Sequence, residues 1–230
     1  MTSTGPLAAP KPYPQLQREL LACQHCEHEG LIPQARPIFQ LPYKPHQRPV
    51  IGLFSQAPGN LARVKGKPFY DPSGVRLRAW LHLSEDEFYD KGVLAILPMA
   101  FCFPGYDGKS RTGRGGDLPP PKVCAEKWRP QMLAGLPDLK IILLVGQYAQ
   151  RWHLGARMKK TLTATVADWP ARFEEAEETG VLMLPMPHPS WRNTAWLKKN
   201  PWFEAEVIPR LRDAIAAALP KDRGASEALD

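Results

Sequence analysis

The chain has 230 residues, 43% of them hydrophobic, and its 30 Lys and Arg outnumber 23 Asp and Glu for a formal net charge of +7. That length is enough for one domain with a real core, and the positive balance favours a polyanionic partner. No run approaches about 18 apolar residues and Met1 to Pro14 holds no apolar export core, so the expectation is an unexported cytoplasmic protein without membrane helices.

Residues 1–14 read as a loose arm, 15–219 as a single domain and 220–230 as a frayed tail. Gln15 to Cys23 reads as a short helix with Leu16, Leu20 and Leu21 on one side, running into Cys23-Gln24-His25-Cys26. A proline-rich connection follows from Pro33 to Pro49. Val50 to Phe54 is an apolar run of strand length, stopped by Ser55-Gln56-Ala57-Pro58-Gly59, because Pro58 has no amide donor and Gly59 tolerates positive φ. The next loop, Lys65 to Gly74, carries Phe69 and Tyr70 outside any periodic element. Either ring could be exposed for stacking on a base or could plug the core beneath. Asp71 precedes Pro72, and Asp-Pro reads as a turn opener in preference to a catalytic carboxylate.

A helix is expected from Ser73 or Gly74 through Leu83, and Ser84-x-x-Glu87 has the spacing of a capping box. Val93 to Leu97 reads as a second strand, and Cys102 follows it. The loop from Gly105 to Asp117 mixes glycines with Lys109, Arg111 and Arg114, which suit either a nucleic-acid backbone or solvent. After Pro119-Pro120-Pro121, Lys122 to Leu136 reads as a helix carrying Cys124. Lys140 to Gly146 is the clearest strand, and Gln147 to Leu154 the helix after it. Glu174 to Glu178 reads as a solvated face. Gly180 to Leu184 is a fourth strand, delivering Pro187-His188-Pro189-Ser190-Trp191-Arg192-Asn193. Asn200-Pro201 reads as cap and first residue of a last helix that buries Phe203, Val207, Leu211, Ile215 and Leu219, with a kink at Pro209. Four buried strands separated by helices predict an α/β fold, a three-layer αβα arrangement around a four-stranded parallel sheet. The loops that leave the strands then share one rim.

Two constellations carry chemistry. Cys23 and Cys26 form a close pair, with Cys102 and Cys124 as distant singles; four such thiolates suit a 4Fe–4S cluster or a tetrahedral zinc site. Four unrelated buried thiols are the structural alternative. His25 and His28 read as solvated neighbours of the pair. His188, held between Pro187 and Pro189, could stabilise developing negative charge, while Ser190, Arg192 and Asn193 add a hydroxyl, a cation and an amide within one turn. A structural histidine in a stiffened turn is the plainer reading. Trp191, Trp196 and Trp202 are expected to pack the base of this loop.

Taken together these pieces resemble the uracil-DNA glycosylase superfamily, most of all its iron–sulfur group, often called family 4. Ser55-Gln56-Ala57-Pro58-Gly59 stands for that group's Gly-Glu-Ala-Pro-Gly, Gly66-Lys67-Pro68-Phe69 for Gly-x-Pro-Phe, and Gly74-Val75-Arg76-Leu77 for Gly-x-Leu-Leu. Cys23, Cys26, Cys102 and Cys124 occupy the places of the group's cysteines, and Leu143 to Ala149 resembles its third strand and turn. His188-Pro189-Ser190-Trp191-Arg192-Asn193 is similar to the His-Pro-Ser-Pro-Arg-Asn of single-strand-selective uracil glycosylases. The resemblance implies a monomeric, monofunctional DNA glycosylase that flips uracil or a related damaged base into a pocket and hydrolyses its glycosidic bond.

It further implies roles for single residues. His188 would stabilise the leaving anion, Gln56 would hold water and base, and Phe69 would stack on the base. Ser55, Ala57, Pro58 and Gly59 would form the first-motif cradle. Ser190 would contact phosphate, and Arg192, beside Asn193, would wedge into the duplex. Three departures mark the chain. In the first motif Ala57 stands where family 1 members carry an aspartate and Gln56 where family 4 has a glutamate; Pro98 stands where the family's uracil-reading asparagine does; and the loop between Cys102 and Cys124 is longer than is usual for the group. No obvious general base remains in the first motif, which makes Asp71 the candidate replacement and a lesion-binding protein without turnover the alternative.

Overall fold

Each of the four apolar runs becomes a strand, and each is kept short by the residues that follow it. The computed structural model describes residues 13–44, 46–108 and 115–219. The arm through residue 12, the basic residues Lys109, Arg111 and Arg114, and the tail from 220 lie outside the described residues. Strands β1 (Ile51–Ser55), β2 (Leu94–Pro98), β3 (Ile141–Val145) and β4 (Leu182–Met186) pair in parallel in the order β2-β1-β3-β4. A parallel pair requires a crossover, and helices supply it. Before β1 lie α1 (Tyr13–Leu21) and α2 (His25–His28). Between β1 and β2 come α3 (Asn60–Lys65), α4 (Pro72–Leu81) and α5 (Glu85–Tyr89). Helix α6 (Lys122–Ala134) leads to β3, and α7 (Gln147–Leu154), α8 (Leu162–Ala167) and α9 (Trp169–Thr179) lead to β4. The chain closes with α10 (Thr194–Lys199) and α11 (Ile208–Ala218).

Alternation along the strands sorts the core into two layers. Leu53, Ile96, Leu143 and Leu184 face one side, against Leu77 and Trp80 of α4 and Leu211 and Ile215 of α11. Phe54, Leu97 and Leu144 face the other, against Leu16 and Leu20 of α1 and Trp128 and Met132 of α6. This is the expected αβα sandwich. The edge of β2 is not left bare. Gln40, from the proline-rich connection, exchanges backbone hydrogen bonds with Ile96 and sends its buried amide to the carbonyls of Phe88 and Leu94. Part of that connection therefore blunts a strand edge that would otherwise stay open to pairing.

The capping box at Ser84 and Glu87 forms as its spacing requires. Other local expectations need correction. Helix α4 starts earlier than Ser73, because the Asp71 side chain accepts from the Gly74 amide and Pro72 takes the first turn, where its missing donor costs nothing. Asn200 closes α10 instead of capping the next helix: its amide donates to the Trp196 carbonyl and its side-chain oxygen accepts from the Trp202 indole. The last helix is not purely α-helical: a π-helical turn, Phe203–Val207, runs without a break into α11, and Pro209 lies in the first turn after it.

Candidate active site and thiol cluster

The carboxyl ends of β1, β2 and β4 open onto one cavity of about 560 Å³. Its walls bring together Ser55, Pro58 and Gly59 from the loop after β1, Phe69 and Asp71 before α4, and His188, Ser190 and Arg192 after β4. Pro98, the last residue of β2, also lines it. Eight of the eleven residues given a catalytic or DNA-binding role in the sequence thus share this cavity. The other three do not line it. Gln56 turns its amide to the Leu118 carbonyl at 3.4 Å, Ala57 sits in the loop behind, and Asn193 donates to the His188 carbonyl at 2.8 Å.

The histidine loop is fixed from several directions. Besides Asn193, the Arg76 guanidinium on α4 donates to the carbonyls of Pro189 and Ser190 at 3.1 and 3.4 Å. Arg76 was not singled out in the sequence, since nothing in its helical position signals a partner 113 residues away. Nδ1 of His188 accepts the backbone N–H of Ser190 at 3.2 Å. An amide can only donate, so the Nδ1 lone pair is occupied and a neutral ring carries its proton on Nε2. Burial pushes the His188 pKa below the ordinary imidazole value, with Asp71 pulling weakly the other way, so the neutral ring is the form present near neutral pH. Gly146 has φ of +84°, so a side chain there would strain the turn, although its Cβ would meet His188 Cβ at an ordinary contact of 3.7 Å.

Phe69 adopts φ of 52°, an uncommon conformation for an aromatic residue. Its carbonyl lies so close to Gly74 that a Cβ on that glycine would stand 1.7 Å from it. The ring is half-buried, stacked on His188 with centroids 6.2 Å apart and planes 27° apart. Both sequence readings of Phe69 are therefore partly met: it packs edge-on against Phe88 of the core at 6.4 Å and presents a face to the cavity. Asp71 combines its capping bond with a place on the cavity wall.

Trp191 departs from expectation. It is 74% exposed at the cavity mouth, with the Arg192 guanidinium 5.2 Å over its ring, whereas Trp196 and Trp202 pack together and against Phe203 as expected. A residue missed in the sequence also appears here. Asp117, the last residue of the glycine-rich loop, lines the same cavity as Asp71, which acts on it through space. Nothing in its own segment marks it out, since the same loop also holds Asp107.

Cys23, Cys26, Cys102 and Cys124 line a second, small cavity walled by Leu20, Phe101 and Trp128. None is in a disulfide. Burial raises Cys102 to about 11 and Cys124 to about 12, the neighbouring thiols adding to the rise, so a bound metal must displace protons. Among the described residues, no three His, Cys, Asp or Glu side chains converge on a point that would hold a single ion. The donor set suits a group that spans four soft ligands. A nearby cation suits it too: Arg129, on the same helix as Cys124, is fully buried. It donates to the carbonyls of Leu97 and Pro98 and contacts His153 Nε2, and its Nε finds no partner. A Cys124 thiolate, where formed, would act on Arg129 through space and favour its charged form. His25 and His28 are exposed beside the cysteine pair, as expected.

The chain is an α/β protein with a parallel sheet and a cavity at the carboxyl ends of its strands, the place where open α/β sheets take their ligands. The family model for the uracil DNA glycosylase superfamily matches residues 43–212, and the chain belongs to that superfamily. Among solved structures, one from Methanosarcina acetivorans, determined by solution NMR and described as a candidate uracil DNA glycosylase, is similar. It has 14% identity and a TM-score of 0.42, covering 77% of this chain and 98% of that one, a likeness too distant to carry an argument. No helix among the described residues is long and apolar enough to cross a membrane.

Proposed function

We propose that the protein is a monofunctional DNA glycosylase that hydrolyses the glycosidic bond of uracil or a related damaged base. The observation that carries this reading is the Ser190 N–H bond to His188 Nδ1, which leaves Nε2–H as a donor on a buried neutral ring in the cavity wall. A base leaving as an anion needs such a donor, and a buried site makes it stronger than it would be in water. A flipped base fits between this donor and the face of Phe69, and Ser190 and Arg192 at the mouth suit phosphate and strand contacts. Pro98 in place of an amide side chain leaves the choice of base to shape and backbone groups, which favours a lesion panel over uracil alone as the assay. The test is incubation with single- and double-stranded oligonucleotides carrying uracil, xanthine, hypoxanthine or hydroxymethyluracil, followed by alkaline cleavage. Scission at one or more of these lesions is expected.

We further propose the iron–sulfur subtype, with Cys23, Cys26, Cys102 and Cys124 holding a 4Fe–4S cluster. The four-thiol cavity, with two of its cysteines lacking the close spacing of zinc-finger ligands, supports it over zinc. Such a cluster would tie the amino-terminal segment to α6 and the loop after β2. Anaerobically purified protein is expected to be brown with broad visible absorption; a colourless, zinc-loaded protein would refute the assignment.

One observation favours a second reading, a lesion-binding protein without turnover. The first-motif loop gives the cavity no carboxylate, and its Gln56 amide is engaged with Leu118. Tight, salt-sensitive binding to damaged DNA with no base release from any oligonucleotide would select it.

A further inference from the structure

Two aspartates reach the cavity, and they are held differently. Asp71 commits Oδ1 to the Gly74 amide at 3.0 Å as the cap of α4. Asp117 arrives from a different segment, on an antiparallel bridge with Tyr106. Backbone bonds of 2.8 Å flank that bridge, from Leu118 N to Gly105 O and from Asp107 N to Gly116 O. The bridge and its flanking bonds fix the backbone that carries the Asp117 side chain. The carboxylate lies over the first-motif loop, where a Cβ on Gly59 would stand 3.7 Å from Oδ2. Among the described residues no donor bonds to it, so its oxygens are available to a water in the cavity.

We propose that Asp117 is the carboxylate that takes the proton of the attacking water, the role for which the first-motif loop offers only Gln56 and Ala57. This inference rests on the glycosylase reading above. In the step, the bond from C1′ to the base nitrogen breaks and its electron pair stays on the base. The water oxygen bonds to C1′, and one water proton passes to Asp117. The base anion, held by the Nε2–H of His188, leaves and takes a proton from solvent, and Asp117 returns its own proton to solvent.

The electrostatics agree with this geometry. Burial raises the Asp117 carboxyl above the ordinary range, Arg192 opposes the rise and Asp71 adds to it. A carboxylate with a raised pKa is a better proton acceptor at neutral pH. Asp71 has a separate role, fixing the start of α4 and thereby the Phe69 turn.

The test compares wild type, Asp117→Asn and Asp117→Glu on whichever of uracil, xanthine, hypoxanthine or hydroxymethyluracil the wild type releases fastest. Single-turnover excision at saturating enzyme is measured beside the Kd for a duplex containing an abasic-site analogue. Asp117→Asn is expected to slow excision by about 10²–10⁴-fold while the Kd changes by less than about threefold. Asp117→Glu, which keeps the charge on a longer arm, is expected to recover at least about tenfold of that loss. Excision by Asp117→Asn at the wild-type rate overturns the inference and leaves the glycosylase reading intact. So does a parallel loss of rate and binding, which would make Asp117 a DNA contact. A wild type that releases none of the four bases, with or without tight binding, overturns both.

Discussion

The rings of Phe69 and His188 lie 6.2 Å apart and nearly parallel, one delivered by the turn before α4 and the other by the loop after β4. Neither loop sets this pairing by itself. Gly74 receives the Phe69 carbonyl, and Arg76, further along the same helix, ties down the carbonyls of Pro189 and Ser190. One helix terminus therefore positions both rings.

If that pairing forms the base pocket, its two rings fail in different ways. His188→Ala removes a donor aimed at a developing anion, and excision is expected to drop by about 10²–10³-fold with little change in DNA binding. Phe69→Ala removes a stacking face worth about 1–3 kcal/mol per base, so weaker lesion binding should accompany the slower reaction. Single-turnover rates and Kd values for the same oligonucleotide separate the two.

Gly74→Ala probes the helix terminus itself. Alanine would raise helix propensity by up to about 1 kcal/mol, but its Cβ would sit 1.7 Å from the Phe69 carbonyl oxygen. A backbone overlap of that size cannot be relieved by a side-chain rotation, so the clash wins. Net destabilisation of about 2–3 kcal/mol is expected in urea unfolding, together with loss of excision.

Acid should weaken the fold through His153. Burial, helped by the adjacent Arg129, lowers its pKa from 6.5 to about 3. The unfolded chain then binds the extra proton between those two values, so this contribution is complete above pH 6.5 and is lost as the pH falls toward 3. The slope reaches about 1.4 kcal/mol per pH unit at most. His153→Gln should flatten the pH dependence of the urea midpoint between those limits; an unchanged slope would mean other groups dominate.

The thiol cavity makes a separate prediction. Cys102→Ala or Cys124→Ala should remove the visible absorption and most of the iron from anaerobically prepared protein. Iron content equal to wild type would mean that the ligands are wrongly assigned.

Much of the frame was legible in the sequence because its signals are local. Val50 to Phe54 and Lys140 to Gly146 are continuous apolar runs stopped by proline or glycine, and the observed strands, Ile51–Ser55 and Ile141–Val145, lie within a residue of them at each end. The four cysteines and the histidine loop were readable from residue type and order. What escaped depends on long-range placement. Nothing local names the partners of Asp117 or Arg76, and only the fold brings them to the cavity and its histidine loop. Trp191 was expected to be packed because tryptophan usually is, yet its neighbours Trp196 and Trp202 fill that space first. The complete burial of Arg129 had no local signal at all, since arginine on a helix ordinarily stays wet.

The most direct test of the central claim is base release by the purified wild-type protein from oligonucleotides carrying uracil, xanthine, hypoxanthine or hydroxymethyluracil, read as alkali-labile strand scission. Scission at one or more lesions, lost in His188→Ala, is the predicted result. Intact strands for all four lesions, single- and double-stranded, would contradict it.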